Sequence, residues 1–264
     1  MTVTVNQPDS IVDLHSHLVP GVDDGTRTVA ESIETLRDLY QQGVRVAVTT
    51  PHLLLPHLGT DAAIQRELDR HRRAFEELSL AIEGRDDLPV LHLGQEIWAP
   101  DAGAARRVVR RSDVGLAGKS LLIEFGFDLQ GNHQDVIREV LDAGRQIVIA
   151  HPERYRYLPG HEPLEIMHAW QDMGALLQVN VGSLTGHYET STPGSEQLAW
   201  QMIAEDLVDV LATDHHGSRR TGVSPREALE TLIARGQVAL AERAMAEVPG
   251  RIVRDELFAS GLPG

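Results

Sequence analysis

The stretch IVDLHSHLVPGVDDGT, residues 11–26, sets His15 and His17 one residue apart after an apolar run and follows them with Asp23 and Asp24. Imidazoles and carboxylates together bind divalent cations of intermediate hardness. The plainer alternative is two polar residues that close a strand. Thirteen histidines in 264 residues make roughly 0.6 such pairs expected by chance, so the pair alone decides nothing. The recurrence of metal-ligating types carries more weight: His52 in TTPH, Glu96 in LGQEIW, Glu124 in LLIEFG, His151 in IAHPER, and Asp214 and His216 in ATDHH. A histidine at a strand end is commonly just hydrogen-bonded, and an aspartate there commonly caps a helix. Glu124 is harder to dismiss, because a carboxylate inside an apolar run must find a charged partner or change its protonation.

Each of these residues lies toward the end of an apolar, β-branched run. The strand candidates are residues 11–17, 44–52, 89–98, 120–126, 145–154, 175–184 and 208–216, with amphipathic stretches such as VAESIETLRDLYQQG and QDVIREVLDAG between them. The second stretch ends at Gly144, as a helix C-cap would. Repeated βα units predict an α/β fold with a parallel sheet, and seven of them predict a closed or nearly closed barrel. A doubly wound open sheet competes, but its Gly-rich phosphate loop is missing. In a βα barrel all strand carboxyl ends open on one face, which would bring the distant ligand types together. The sixth run offers Asn180 and Ser183, suited to lining the site without binding metal. Eight or nine donors suit two or three ions. Asp24, Glu96, Glu124 and Asp214 against three divalent cations leave a charge of +2, which matches a phosphate dianion.

Composition removes several classes. A formal charge of −15 argues against nucleic-acid binding and against an anionic membrane. No apolar run approaches the ~18 residues of a membrane span. The start, MTVTVNQPDS, lacks the basic and apolar regions of a signal peptide, so a cytoplasmic location is expected. Cysteine is absent, which excludes thiolate ligands and thiol nucleophiles.

Taken in order, HSH, DDG, TPH, GQE, LIEF, AHPER, QVN with GSL, and TDHH resemble the polymerase-and-histidinol-phosphatase (PHP) superfamily. Within it the chain is most similar to the manganese-dependent protein-tyrosine phosphatases of bacterial capsule and exopolysaccharide synthesis. The likeness runs from about residue 11 to residue 220. It implies a distorted seven-stranded (β/α) barrel over residues 11–264, preceded by an extension of residues 1–10 and closed by helices from about 223. It also implies a ligand set: His15, His17 and Asp214 on a first metal, Glu96 bridging to a second completed by Glu124 and His151, and Asp24, His52 and His216 on a third. Asp23 and His215 are the neighbours that would otherwise take two of those roles. Mn2+ is the implied ion, with Fe and Zn chemically suitable.

The implied reaction is hydrolysis of phosphotyrosine on a protein, a bacterial tyrosine kinase, by a water whose pKa the metals lower toward neutral. Arg154, Asp214 and His216 stand at the reacting centre; Arg154 would grip the phosphate with its planar fork, joined by Arg219 or Arg220. A small-molecule phosphatase of the histidinol-phosphatase type is the nearest alternative, weakened by Glu124 where that branch typically has histidine. A metal-dependent amidohydrolase is weakened because the single lysine, Lys119, precedes the fourth strand. A phosphotyrosine-binding partner without turnover is the non-enzymatic alternative. LLLPHLGT (residues 53–60) departs from the family's more polar loop; its three leucines are expected to make ordinary contacts with the next helix, an apolar lid packing on a phenol ring being the alternative. The oligomeric state is left open.

Overall fold

The computed structural model describes residues 10–116, 118–129, 131–219 and 223–256. In chain order these form β1 (Ile11–Ser16), α1 (Val29–Gln41), β2 (Val44–Thr49), β3 (His52–Leu54), α2 (Asp61–Ala81), β4 (Val90–Leu93), β5 (Glu96–Trp98), α3 (Ala102–Arg106), β6 (Ser120–Glu124), α4 (His133–Asp142), β7 (Gln146–Ala150), α5 (Pro163–Asp172), β8 (Leu176–Asn180), α6 (Ser195–Ala204), β9 (Val210–Ala212), α7 (Pro225–Ala234), α8 (Val238–Glu242) and α9 (Val248–Val253). A π-helical turn, Arg243–Glu247, joins α8 to α9.

The strands pair in parallel as two sheets, β1-β2-β4 and β3-β5-β6-β7-β8-β9. Two of the expected strands are therefore each split. Residues 44–52 break at Thr50-Pro51, where proline brings no N–H to a ladder. Residues 89–98 break at Gly94-Gln95, where a Cβ on Gly94 would lie 3.0 Å from Val48 Cγ1. The ends expected for 145–154 and 175–184 are likewise shorter than read, because the chain turns into 3-10 helices at Pro152–Arg154 and Val181–Thr185. At the far side β9 returns to β1: Ser16 bridges His215 in parallel, His17 N–H donates to the His215 carbonyl at 2.8 Å, and Asp214 N–H donates to the His15 carbonyl at 2.7 Å. Buried Asp13 locks this seam by accepting from Thr213 N–H at 2.9 Å and from its hydroxyl at 2.6 Å.

Alternation along the strands separates two cores. Leu122, Val148, Leu176 and Val210 pack with Val12, Leu14 and Val48, and Val248 and Ile252 of the C-terminal helical segment join them. The opposite faces pack against the helices through Leu36, Leu39, Ile64, Leu68, Ile137 and Trp170. Following the inner face of β8 and β9 toward the carboxyl end, Leu176 gives way to Gln178 and Asn180, and Val210 and Ala212 give way to Asp214. On β6, Leu122 gives way to Glu124. The strands are thus apolar at the base and polar at the mouth. Among the described residues no helix is long and apolar enough to cross a membrane.

His71 of α2 is fully buried, and both ring nitrogens lack a hydrogen bond. Burial outweighs the pull of Glu67 and lowers its pKa to about 4. The imidazole therefore folds neutral, while the unfolded chain takes up a proton near pH 6.5. Its contribution is full above about pH 6.5 and is lost as the pH falls toward 4. Melting temperature should fall through that window, and His71→Leu should flatten that part of the profile.

Candidate metal centre

His15 lies one residue before the end of β1 and His17 just after it, Asp23 and Asp24 lie in the turn that follows, His52 and Glu96 open β3 and β5, Glu124 ends β6, and His151, Asp214 and His216 follow β7 and β9. The fold brings all of these to one cleft of about 1420 Å3 at the carboxyl ends of the strands, with His15 and His17 buried beneath it. His15 Nε2 and His17 Nε2 are 3.3 Å apart. Each is 3.4 Å from Glu96 Oε2, and they lie 3.5 and 3.3 Å from Asp214 Oδ1. Donors about 2.1 Å from one ion stand roughly 3.0–3.4 Å apart for octahedral to tetrahedral arrangements, so this spacing suits a shared cation. Three further groups adjoin it: His15 with Glu96 and His151; His52 with Glu96 and Glu124; and His17, Asp24, His52 and His216. His52 stands between two groups, with Nδ1 2.8 Å from Glu96 Oε2 and Nε2 3.3 Å from Asp24 Oδ1.

Hydrogen bonds aim the imidazoles. Asp214 Oδ2 only accepts, so Asn180 turns its Nδ2 toward it at 2.8 Å. Asn180 Oδ1 then accepts from Gln178 Nε2 at 2.8 Å, and Gln178 Oε1 accepts from His15 Nδ1 at 2.9 Å. That direction places a proton on His15 Nδ1 and turns Nε2 toward Glu96 and Asp214, which raise the ring's pKa against the effect of burial. Asp23 Oδ2 does the same for His17 by accepting from Nδ1 at 2.7 Å, and the Asp214 carbonyl does so for His216 at 2.8 Å. Such outer partners set the tautomer and basicity of metal-binding histidines. Asn180→Leu should therefore weaken metal binding about 10–100-fold, read as metal retained after dialysis against a graded chelator.

The electrostatics call for positive charge. Burial opposes ionised Glu96, yet His15 and His52 hold its pKa well below the ordinary value. Burial and His17 oppose a proton on His52, but Glu96 and Asp24 outweigh them and raise it to about 10. Glu124 goes the other way, pushed up to about 8 by burial and by Glu96. Glu96 Oε2 remains buried without an aligned hydrogen bond although imidazole nitrogens surround it. Divalent cations among these donors would satisfy that oxygen and let Glu124 ionise, so the residues present fit a polynuclear centre.

The backbone is strained here to present side chains. His151 (φ 34°) and Asp214 (φ 50°) adopt left-handed conformations that non-glycine residues rarely take. Gly25 of the DDG turn is required by close approach, since a Cβ would lie 1.9 Å from the His17 carbonyl oxygen.

Of the doublets, Asp24 reaches His52 and His216, whereas Asp23 supports His17. His215 turns away and accepts from Gly217 N–H at 2.9 Å, while His216 faces Asp24. Arg154 does not pair with its neighbour Glu153. Its Nη1 donates to Asp214 Oδ2 at 2.8 Å, and its guanidinium lies 4.1 Å from the Tyr188 ring centroid and 5.2 Å from that of Phe127. Its Nε is buried without an acceptor. The Arg219 backbone closes a 3-10 turn, Gly217–Arg219; the Arg219 side chain and Arg220 lie outside the described residues. In LLLPHLGT, Leu53 and Leu55 enter the helix-side core and Leu54 lines the cleft.

Sequence reasoning missed Asp13, Gln178, Phe127 and Tyr188. Asp13 shares an i, i+2, i+4 spacing with His15 and His17, and Gln178 precedes Asn180 by two, so period-two spacing was the available signal. Nothing in the sequence pointed to the aromatic pair around Arg154.

Parallel strands whose carboxyl ends gather imidazoles and carboxylates define an α/β protein with a candidate metal centre. A prolidase (TM-score 0.52, 10% identity, 95% of this chain and 76% of that one) shares this fold. Residues 11–254 match the family described as Capsular polysaccharide synthesis, CpsB/CapC, and the chain belongs to that family. It is 29% identical over 229 residues to the tyrosine-protein phosphatase YwqE of Bacillus subtilis (strain 168), covering 84% of each chain. It is 25% identical over 259 residues to the tyrosine-protein phosphatase CpsB of Streptococcus pneumoniae, covering 94% of this chain and all of that one. A chain from the crystal structures of YwqE and CpsB, described as unique metal-dependent tyrosine phosphatases, matches with TM-score 0.74 at 25% identity over 94% of this chain and 96% of that one.

Proposed function

We propose that this chain is a metal-dependent protein-tyrosine phosphatase that removes phosphate from a tyrosine-phosphorylated protein of capsule or exopolysaccharide synthesis, a bacterial tyrosine kinase, in the cytoplasm. The observation that carries the reading is Arg154 standing beside the imidazole–carboxylate cluster with a buried N–H that has no acceptor. We read the nine strand segments as seven strands of a distorted barrel in one domain, β2 with β3 and β4 with β5 each being one interrupted strand.

His15, His17 and Asp214 would hold one ion. Glu96 would be shared with a second ion held by Glu124 and His151, and Asp24, His52 and His216 would hold a third. The thiolate-free donor set suits Mn2+, with Fe and Zn as chemical alternatives. Bound there, the ions supply Lewis acidity toward the phosphate and toward a water molecule.

The remaining work falls to the protein. Arg154 binds nonbridging oxygens through Nε and the free edge of its fork, with the Tyr188 ring, centred 4.1 Å from the guanidinium, fixing its plane. Asp214, held ionised by His15, His17, His216 and Arg154 despite its burial, keeps Oδ1 turned to the cluster while Asn180 and Arg154 occupy Oδ2. His216 closes the same side, its Nδ1 proton engaged by the Asp214 carbonyl. Tyrosine suits this arrangement as leaving group because phenol, with a pKa near 10, departs as phenolate more readily than an alkoxide.

The test is phosphate release from a tyrosine-phosphorylated peptide against histidinol phosphate. A higher kcat/KM on the peptide supports the reading, and preference for the small molecule moves it to the histidinol-phosphatase type. Tight binding of the peptide without release would make the chain a phosphotyrosine-binding partner.

A further inference from the structure

The metal-ligating cluster and Arg154 recognise a phosphoryl group, and that group is the same on tyrosine and on serine. Discrimination must come from the surface that receives the leaving group. Among the described residues the exposed large apolar side chains are Leu80, Val90, Phe127 and Leu158, and of these only Phe127 and Leu158 line the cleft.

Phe127 is also held in place. Its carbonyl accepts from Arg156 N–H at 2.6 Å, and Leu129 N–H donates back to the Arg156 carbonyl at 3.2 Å. Arg156 Nε and Nη2 then grip both carboxylate oxygens of Asp128, at 2.6 and 2.8 Å. This clamp fixes the backbone on either side of Phe127. The ring lies within 13° of parallel to that of His151, with centroids 6.1 Å apart, and its other neighbour is the Arg154 guanidinium. A flat apolar face, 40% exposed, thus stands next to the groups that face the phosphate. Phosphoryl recognition does not need it; a phenyl leaving group does.

Resting on the phosphatase reading above, we propose that Phe127 is the platform on which the leaving-group ring docks, making it a specificity-determining residue that favours aryl over alkyl phosphates. Aromatic pairs of this kind contribute enough to shift affinity several-fold.

The experiment compares phenylphosphonate with methylphosphonate binding to the Mn2+-loaded protein by calorimetry, so no turnover is required. Wild type should bind the phenyl compound more tightly. Phe127→Ala should lose roughly three- to tenfold of phenyl affinity while leaving methyl affinity unchanged, and Phe127→Trp should keep the phenyl advantage. Unchanged methyl affinity also shows that Phe127→Ala is folded and that Arg154 is in place. The proposal is overturned if wild type shows no phenyl advantage, if the advantage survives in Phe127→Ala, or if both ligands weaken together. Wild type that binds phenylphosphonate yet releases no phosphate from phosphotyrosine would sink the phosphatase reading and leave the platform standing. A phosphotyrosine-hydrolysing wild type with no phenyl advantage would sink the platform alone.

Discussion

Glu96→Gln should lower phosphate release from a tyrosine-phosphorylated peptide by roughly 10^3-fold or more while leaving the protein folded. The side chain is 1% exposed and touches four imidazoles: Oε1 is 2.9 Å from His151 Nε2, and Oε2 faces His15, His17 and His52. An amide of the same shape keeps the packing but removes the charge and presents an N–H to one imidazole. Two of the proposed ion sites lose their shared ligand at once. Metal analysis should show reduced loading, and circular dichroism should show the wild-type helix content. Wild-type loading and turnover in Glu96→Gln would mean that Glu96 is not a shared ligand.

Arg154→Ala should cost about 10^2–10^3 in kcat/KM, with metal loading reduced far less than in Glu96→Gln. Arg154 has two roles in the structure, one toward Asp214 Oδ2 and one through its buried Nε, which is left without an acceptor. Removing it leaves Asp214 with Asn180 as its remaining partner on Oδ2. Arg154→Lys separates the two roles. A lysine keeps a positive charge near Asp214 but cannot offer the planar fork, so it should restore metal retention more than activity. Equal recovery of both would show that the guanidinium serves only to position Asp214.

Much of the site is legible in the sequence because strand geometry is simple. Glu124 interrupts an apolar run whose alternation places it on the inner face above Leu122, and the same parity brings Gln178, Asn180 and Asp214 to the mouth of the cleft. Less legible are features that depend on contacts across the chain. Pro51 and Gly94 break two strands, and the sequence shows the residues but not that the ladder changes sheets there. The neighbour that pairs with Arg154 is Asp214, sixty positions away, and not the adjacent Glu153, because the 3-10 turn after β7 turns the two side chains in different directions. Glu153 instead accepts from Asn180 N–H and the Ser183 hydroxyl. His151 and Asp214 reach the centre through left-handed backbone, which histidine and aspartate tolerate better than most residues, but that tolerance does not mark these two among the chain's many histidines and aspartates.

Activity recovered by metal alone is the most direct test. Protein stripped with a chelator and assayed on a tyrosine-phosphorylated peptide should release no phosphate, and added Mn2+ should restore release in wild type but not in His151→Ala. Full turnover by the stripped protein, or wild-type rates in reloaded His151→Ala, would contradict the account.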